Sequence, residues 1–207
     1  MKVAVVGGTG DFGLALAQRL AAAGVEVVIG SRDAGRAQEK AAEAGAAAGA
    51  TNEDAVRGVD LVVLATNADA TLPTAESLAH AIGPTPVLSV ASELRFSKAG
   101  VFPGDDARSI AERTQDLLAG PVVAGLHSLA AASLARGPAD GDALVCGDDP
   151  EAKTLALELA GHVVRGRALD AGPLASARAL EGLTAVIVNL NKRYKGHAGV
   201  RVTGLPE

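Results

Sequence analysis

Between an apolar run, Val3-Ala4-Val5-Val6, and a helix-like run opening at Leu14, the chain reads Gly7-Gly8-Thr9-Gly10-Asp11-Phe12-Gly13. The glycines at 8, 10 and 13 make G-x-G-x-x-G in strand–turn–helix context, and the context is what gives so common a pattern its meaning. The chemistry it serves is a dinucleotide pyrophosphate resting on a helix N-terminus. Gly8 would permit the tight turn, Gly10 the close approach of backbone to phosphate, and Gly13 the close packing of helix on strand. Unpaired N–H groups and the helix dipole both favour an anion there. Asp11 and Phe12 lie inside the loop and join its candidate binding residues.

About twenty residues further on stands the group that would choose the dinucleotide. An NAD-preferring site places Asp or Glu at the end of the second strand to hold the ribose 2′-hydroxyl. Here that strand ends Gly30-Ser31-Arg32, and Asp33 comes only after the arginine. A hydroxyl and a guanidinium suit a 2′-phosphate, because Arg binds phosphate bidentately and Ser donates one more bond. Arg36, one helical turn beyond Arg32, adds a second cation, and Thr9 can donate from the glycine loop. The cofactor expected is NADP(H). The plain alternative is that Arg32 and Arg36 are solvated surface charges.

Positioning these groups falls to an alternation of short β-branched runs and alanine-rich helical stretches. Strands are expected at 2–6, 25–29, 61–65, 86–90 and 121–126. Helices are expected at 12–23, 34–44 and 70–81, at a short segment from 52 with Asn52 as N-cap, and from Asp105-Asp106 to 118. Such alternation predicts an α/β protein with a Rossmann-type doubly wound parallel sheet. Beyond residue 126 the pattern loosens. A strand at 143–146, a helix opened by Asp149-Pro150 and ended by Gly161, and a strand at 163–169 precede the longest helical reading, 174–194. Leu180, Leu183, Ile187 and Leu190 form an apolar stripe on that helix. The expected division is residues 1–126 as the NADP-binding domain. Residues 127–207 would be a small C-terminal domain containing the long helix and completing a second-substrate cleft.

Bulk properties exclude several classes. With 207 residues, 48% of them hydrophobic, the chain can bury a substantial core. A net charge of −5 and 2% aromatics argue against nucleic-acid binding, which needs clustered cations and stacking platforms. No apolar run approaches a membrane span, and no signal-peptide pattern opens the chain. One cysteine, Cys146, leaves no disulfide framework and suits a reducing compartment. Cytoplasmic location is expected.

Several blocks along the chain resemble one family, the coenzyme F420-dependent NADP oxidoreductases. They are Gly7-Gly8-Thr9-Gly10, Gly30-Ser31-Arg32, Asn52-Glu53-Asp54-Ala55, Cys146-Gly147-Asp148-Asp149 and Leu169-Asp170-Ala171-Gly172-Pro173-Leu174. The last is followed at the family's spacing by Ser176, Arg178, Glu181, Leu183-Thr184, Ile187 and Asn189. The chain departs from the family at two stretches. Ala65-Thr66-Asn67-Ala68 stands where an apolar-Pro-aromatic segment is usual, and Ser128-Leu129-Ala130-Ala131 where an apolar-Pro-Ala segment is usual.

The resemblance implies hydride transfer between NADP(H) and the deazaflavin coenzyme F420, with both reacting atoms carried by cofactors. Protein catalytic acids or bases are then not required, and no residue is assigned as catalytic. It adds Thr66, Asn67, Ala68 and Ala131 to the cofactor-binding residues and places His127, Ser128 and Leu129 at the F420 cleft. It also implies a homodimer through the C-terminal helix. His127 could donate a proton, bond the deazaflavin or cap the following helix, the latter two being favoured. Lys192, Arg193, Lys195, Arg201 and Arg136 could meet the anionic tail of F420 or simply oppose a helix dipole.

Other residues take plain readings. Cys146 is read as core packing. Asp148 and Asp149 are read as a turn and an N-cap, and Asp170 as a turn former. His80, His162 and His197 show no ligand spacing, so no metal is expected. Two further functions fit the same sequence: an NADP-dependent imine or keto reductase on a related scaffold, and a non-enzymatic NADP(H)-sensing module.

Overall fold

A computed structural model of the chain describes residues 1–206. Eight strands form one sheet. In chain order they are β1 (Lys2–Val6), β2 (Glu26–Ser31), β3 (Ala48–Thr51), β4 (Leu61–Leu64), β5 (Val87–Ser89), β8 (Val122–Gly125), β9 (Ala143–Gly147) and β10 (Ala168–Asp170). Between β5 and β8 the chain makes a separate hairpin, β6 (Leu94–Ser97) with β7 (Gly100–Pro103). The sheet order is β10-β9-β8-β5-β4-β1-β2-β3. Every pairing in it is parallel except β8 with β9. The doubly wound α/β expectation therefore holds. Strands β9 and β10, from beyond residue 126, extend this same sheet.

The central strands are near-continuous apolar runs because both faces are covered. Val3 and Val5 face a layer made with Leu16 and Leu20 of α1 (Asp11–Ala22), Ala37 and Ala41 of α2 (Ala34–Ala44), and Leu159 of α7 (Pro150–Val163). Ala4 and Val6, one residue out of phase, face the opposite layer. There they meet Leu78 and Ile82 of α4 (Ala68–Ile82), Ala111 of α5 (Ile110–Gln115) and Leu180 of α8 (Ala177–Tyr194). Two short helices, α3 (Asn52–Ala55) and α6 (Ala131–Leu134), complete the set, and a 3₁₀ turn at Leu174–Ser176 leads into α8. Among the described residues no helix is long and apolar enough to cross a membrane. None of their His, Cys, Asp and Glu side chains gather in threes to hold a metal ion.

Several elements differ from the sequence expectations for identifiable reasons. The helix expected from Asp105-Asp106 begins at Ile110, because Ser109 and Glu112 form a reciprocal capping box. Asp105 and Asp106 instead pair with Arg95 and Arg113. The N-cap of α3 is Thr51, whose hydroxyl accepts from the Asp54 N–H, and not Asn52. Gly161 does not end α7; the helix runs on to Val163, and the strand expected over 163–169 is reduced to an isolated bridge at Val164 and β10. On α8 the stripe is buried at Leu180 and Ile187, but Leu190 is 41% exposed, because the helix has by then run past the sheet. There Asn189 grips the hairpin instead, accepting from the Val101 N–H at 2.9 Å and donating to its carbonyl at 2.7 Å.

The helix also buries a carboxyl. Glu181 is 1% exposed and accepts from the Ala111 N–H at 3.3 Å, at the first turn of α5. Burial raises its pKa from 4.5 to about 7 against the opposing pull of those backbone donors. The folded chain thus retains a proton that the unfolded chain gives up, and stability from this group is lost as pH rises through about 7. Glu181→Gln should therefore gain on the wild type by up to roughly 3 kcal/mol as urea unfolding is moved from pH 4.5 to pH 8. A constant difference between the two proteins across that range would show that the carboxyl is not strained in this way.

Candidate cofactor clefts at the sheet edge

Two adjoining clefts, of about 430 and 400 Å³, open over the carboxyl ends of β1, β2, β4, β5 and β8 and share Gly10, Ala65, Thr66 and Asn67. The glycine loop forms their common floor. The residue of positive φ is Gly7 (+81°), where Gly8 was expected to make the turn. A Cβ on Gly7 would also come within 2.8 Å of the Ala65 carbonyl oxygen. Gly8 has a packing reason: its Cβ would meet the Val5 carbonyl at 2.8 Å and Ile29 at 2.9 Å. Gly13 fits closely too, with its Cβ 2.5 Å from the Gly7 carbonyl. Gly10 is different. A Cβ there meets nothing nearer than 3.4 Å, so the space above it opens into the clefts.

The larger cleft gathers Thr9, Ser31, Arg32, Arg36 and Asn52. Ser31 is buried at the end of β2, and its oxygen accepts from the Asp33 N–H at 3.3 Å, leaving its hydroxyl proton free to donate. Asp33 is occupied as the N-cap of α2, accepting from the Arg36 N–H at 2.9 Å. Arg32 and Arg36 are exposed and make no ion pair among the described residues. This donor set, two free guanidiniums and a hydroxyl around an open glycine turn, fits a phosphorylated ribose and a pyrophosphate. Asn52 belongs here as well. Its Oδ1 is buried beside Gly30 without a hydrogen-bond partner, a signal its sequence reading as a helix cap did not carry.

The smaller cleft is lined by Asp11, Phe12, Ala68, Leu129 and Ala131, with Ser92, His127 and Thr184 on one wall. Ser128 is turned away from it: buried, it donates to the Asp142 carbonyl at 3.2 Å. Leu126, in the left-handed region at φ 65°, bends the chain after β8 and delivers His127 to this wall. The His127 Nε2 lies 3.2 Å from the Ala91 carbonyl, which can only accept, so Nε2 carries the proton. Nδ1 is left as a buried acceptor without a partner. Burial pulls the His127 pKa from 6.5 down to about 4, so the ring is neutral at physiological pH.

Two hydroxyl pairs share a polarity. Thr71 donates to the Asn67 carbonyl at 3.0 Å, so at 3.0 Å Thr66 must donate to Thr71. Thr184 donates to the His127 carbonyl at 3.0 Å, so at 2.8 Å Ser92 must donate to Thr184. In both pairs a buried or half-buried hydroxyl is pinned by a backbone carbonyl.

Comparison with known proteins bears directly on these clefts. The family model described as NADP oxidoreductase, coenzyme F420-dependent, matches residues 2–93. The F420-dependent NADP reductase of Methanothermobacter marburgensis is 36% identical, with all of both chains covered. That of Methanocaldococcus jannaschii is 35% identical over 99% of each. The chain belongs to this family. A solved structure from Arthrobacter sp. FB24, provisionally described as an F420-dependent NADP reductase, covers both chains fully at TM-score 0.83 and 25% identity. An imine reductase from Streptomyces aurantiacus shares the fold at TM-score 0.62 and 24% identity, this chain covering 62% of it.

Within the family frame, the structure gathers Thr9, Gly10, Ser31, Arg32 and Arg36 on one side, and Asp11, Phe12, Ala68, His127, Leu129 and Ala131 on the other, with Thr66 and Asn67 between. The basic residues Lys192, Arg193 and Lys195 line neither cleft, and Arg136 borders a separate hollow beside Ser128. Nitrogen-15 NMR of the His127 ring should show one neutral tautomer, protonated at Nε2, from pH 8 down to pH 5. An imidazolium signal already present at pH 6 would mean that the ring is not held neutral by burial.

Proposed function

We propose that this chain transfers hydride between NADP(H) and coenzyme F420, the activity for which its 35–37% identical relatives are named. The observation that carries the reading is the pair of clefts meeting at Gly10, Ala65, Thr66 and Asn67, one furnished for phosphates and the other for a flat, largely uncharged ring system. When bound, the nicotinamide and the deazaflavin supply the donor and acceptor carbons themselves.

The chain's own part is positioning and drying. Thr9, Ser31, Arg32 and Arg36 would hold the 2′-phosphate, and the N–H groups from Gly10 to Gly13 the pyrophosphate, with Gly8 and Gly13 keeping the loop close to the sheet. Asp11, Phe12, Thr66, Asn67, Ala68 and Ala131 would frame the nicotinamide. His127 and Leu129 would meet the deazaflavin, with Ser128 fixing the strand end behind them. A neutral His127 orients and holds no proton in reserve, which suits a reaction whose chemistry is a direct hydride transfer. On this reading residues 1–126 are the NADP-binding part and residues 127–207 complete the second cleft. The buried Cys146, its thiol pushed up to about 12 by burial, is inert and suits a reducing cytoplasm.

We also propose a homodimer built on the C-terminal helix. The chain has three Phe and one Tyr. Three of these four stand exposed on the hairpin and the end of α8: Phe96 at 64%, Phe102 at 39% and Tyr194 at 72%. Val186 and Leu190 of α8 are exposed with them. A patch holding most of a chain's aromatic side chains is what a subunit contact is made of.

Purified protein mixed with NADPH and oxidised F420 should bleach the deazaflavin absorbance and generate NADP⁺; no transfer in either direction would sink the reading. Arg32→Ala should raise the Kd for NADPH by roughly ten- to a hundredfold, the worth of charge-assisted bonds to phosphate, and leave that for NADH nearly unchanged. Equal losses for the two would refute the 2′-phosphate assignment. Light scattering should give twice the chain mass for the wild type and a shift towards monomer for Phe96→Ser combined with Tyr194→Ser. A monomeric wild type would remove the dimer.

A further inference from the structure

The wall of the smaller cleft carries three polar atoms, and their hydrogen-bond directions can be settled one after another. The His127 carbonyl has no proton, so Thr184 spends its single hydroxyl proton there, at 3.0 Å. The Ser92 hydroxyl, 2.8 Å from Thr184 Oγ1, is then obliged to donate to it. Ser92 Oγ keeps its lone pairs and has no proton left for a ligand. The same argument applies to the ring beside it. The Ala91 carbonyl takes the Nε2 proton, and Nδ1 is a buried acceptor closed off from the cleft, so the ring turns no donor toward a ligand. Ser92, His127 and Thr184 all line this one cleft. Thr66, which also lines it, is turned the same way by Thr71 and the Asn67 carbonyl.

We infer that Ser92 is a specificity-determining residue for the second substrate, acting purely as a hydrogen-bond acceptor on the wall it shares with His127 and Thr184. The wall they form selects a ring edge that carries N–H and opposes one that presents only carbonyl oxygens or alkylated nitrogen. A buried acceptor facing another acceptor leaves both unpaired, and the cost of that mismatch exceeds the gain from a matched pair. The inference rests on the deazaflavin reading above. On that reading the donor is the imide N–H of the pyrimidinedione ring, the N–H that both redox states possess. Ser92 acts in binding, and its hydroxyl proton stays within the pair with Thr184. A serine here does what a threonine could also do, and what alanine or valine could not.

The test is a cycle of two proteins and two ligands, read by the quenching of deazaflavin fluorescence. The wild type should bind F420 about tenfold more tightly than Ser92→Ala does, the worth of one net hydrogen bond. A deazaflavin methylated at the imide nitrogen should bind both proteins weakly and equally. Ser92→Thr should restore the preference. An unchanged Kd for NADP⁺ in each variant certifies the fold, and Ser92→Thr compared with the wild type carries the test if Ser92→Ala fails it. Should Ser92→Ala lose the same factor for the methylated ligand as for F420, or lose nothing for F420, the assignment is overturned while the hydride-transfer reading stands. A wild type that neither binds nor reduces F420 overturns that reading and this assignment together.

Discussion

A methyl group on Gly7 would sit 2.8 Å from the Ala65 carbonyl oxygen, and one on Gly13 would sit 2.5 Å from the carbonyl of Gly7. Backbone is stacked on backbone at the carboxyl ends of β1 and β4, with no side chain between. This approach draws the turn after β1 against the segment that follows β4, so that Gly10, Thr66 and Asn67 can belong to two clefts at once. If the turn stood even one methyl further out, the phosphate-holding side and the ring-holding side would separate. The arginines at 32 and 36, the hydroxyl of Ser31 and the free space over Gly10 all take their meaning from that junction.

The two sides differ in electrical character because their polar groups are spent differently. On the phosphate side, Asp33 is occupied as a helix cap, which leaves the neighbouring guanidiniums and the Ser31 proton available. On the ring side, backbone carbonyls at 67, 91 and 127 take the protons of Thr71, His127 and Thr184, so Thr66 and Ser92 spend theirs on those threonines and can only accept from a ligand. One side is rich in donors and the other in acceptors. The donor side owes its polarity to the two guanidiniums that Asp33 leaves unpaired; the acceptor side owes its own to the backbone carbonyls within reach.

The parts legible in the sequence are those written in local chemistry. The β1–α1 turn, the absence of a carboxylate at the end of β2, the Asp149-Pro150 helix start and the buried Cys146 all depend on residues adjacent in the chain. The roles of Ser92 and Thr184 do not: the two are 92 residues apart and meet only because α8 crosses back over β8. The hairpin over β6 and β7 escaped because each of its strands has only four residues; Asn189 of α8 holds it in place. Asp105-Asp106 looked like a helix start since nothing in the sequence showed that Arg95 and Arg113 would claim those carboxylates, leaving the capping to Ser109. Glu181 lay on the apolar side of a helix whose stripe was read from leucines. Its burial depended on the first turn of α5, packed there by tertiary structure.

Strand β9 runs against β8, with Val123 opposite Gly147 and Gly125 opposite Val145. The turn after β9, Asp148-Asp149, therefore lies at the end of the sheet away from both clefts. So does the turn after β10, which runs parallel to β9. These two turns are tied to one another: the Gly147 N–H donates to the Gly172 carbonyl at 3.0 Å, and Asp148 accepts from the Leu174 N–H at 3.0 Å. The blocks 146–149 and 169–174 are thus fasteners that launch α8 on its way back to the clefts. A descendant could change residues such as Thr66 and Ser92 at the cleft end while these fasteners at the far end stayed untouched.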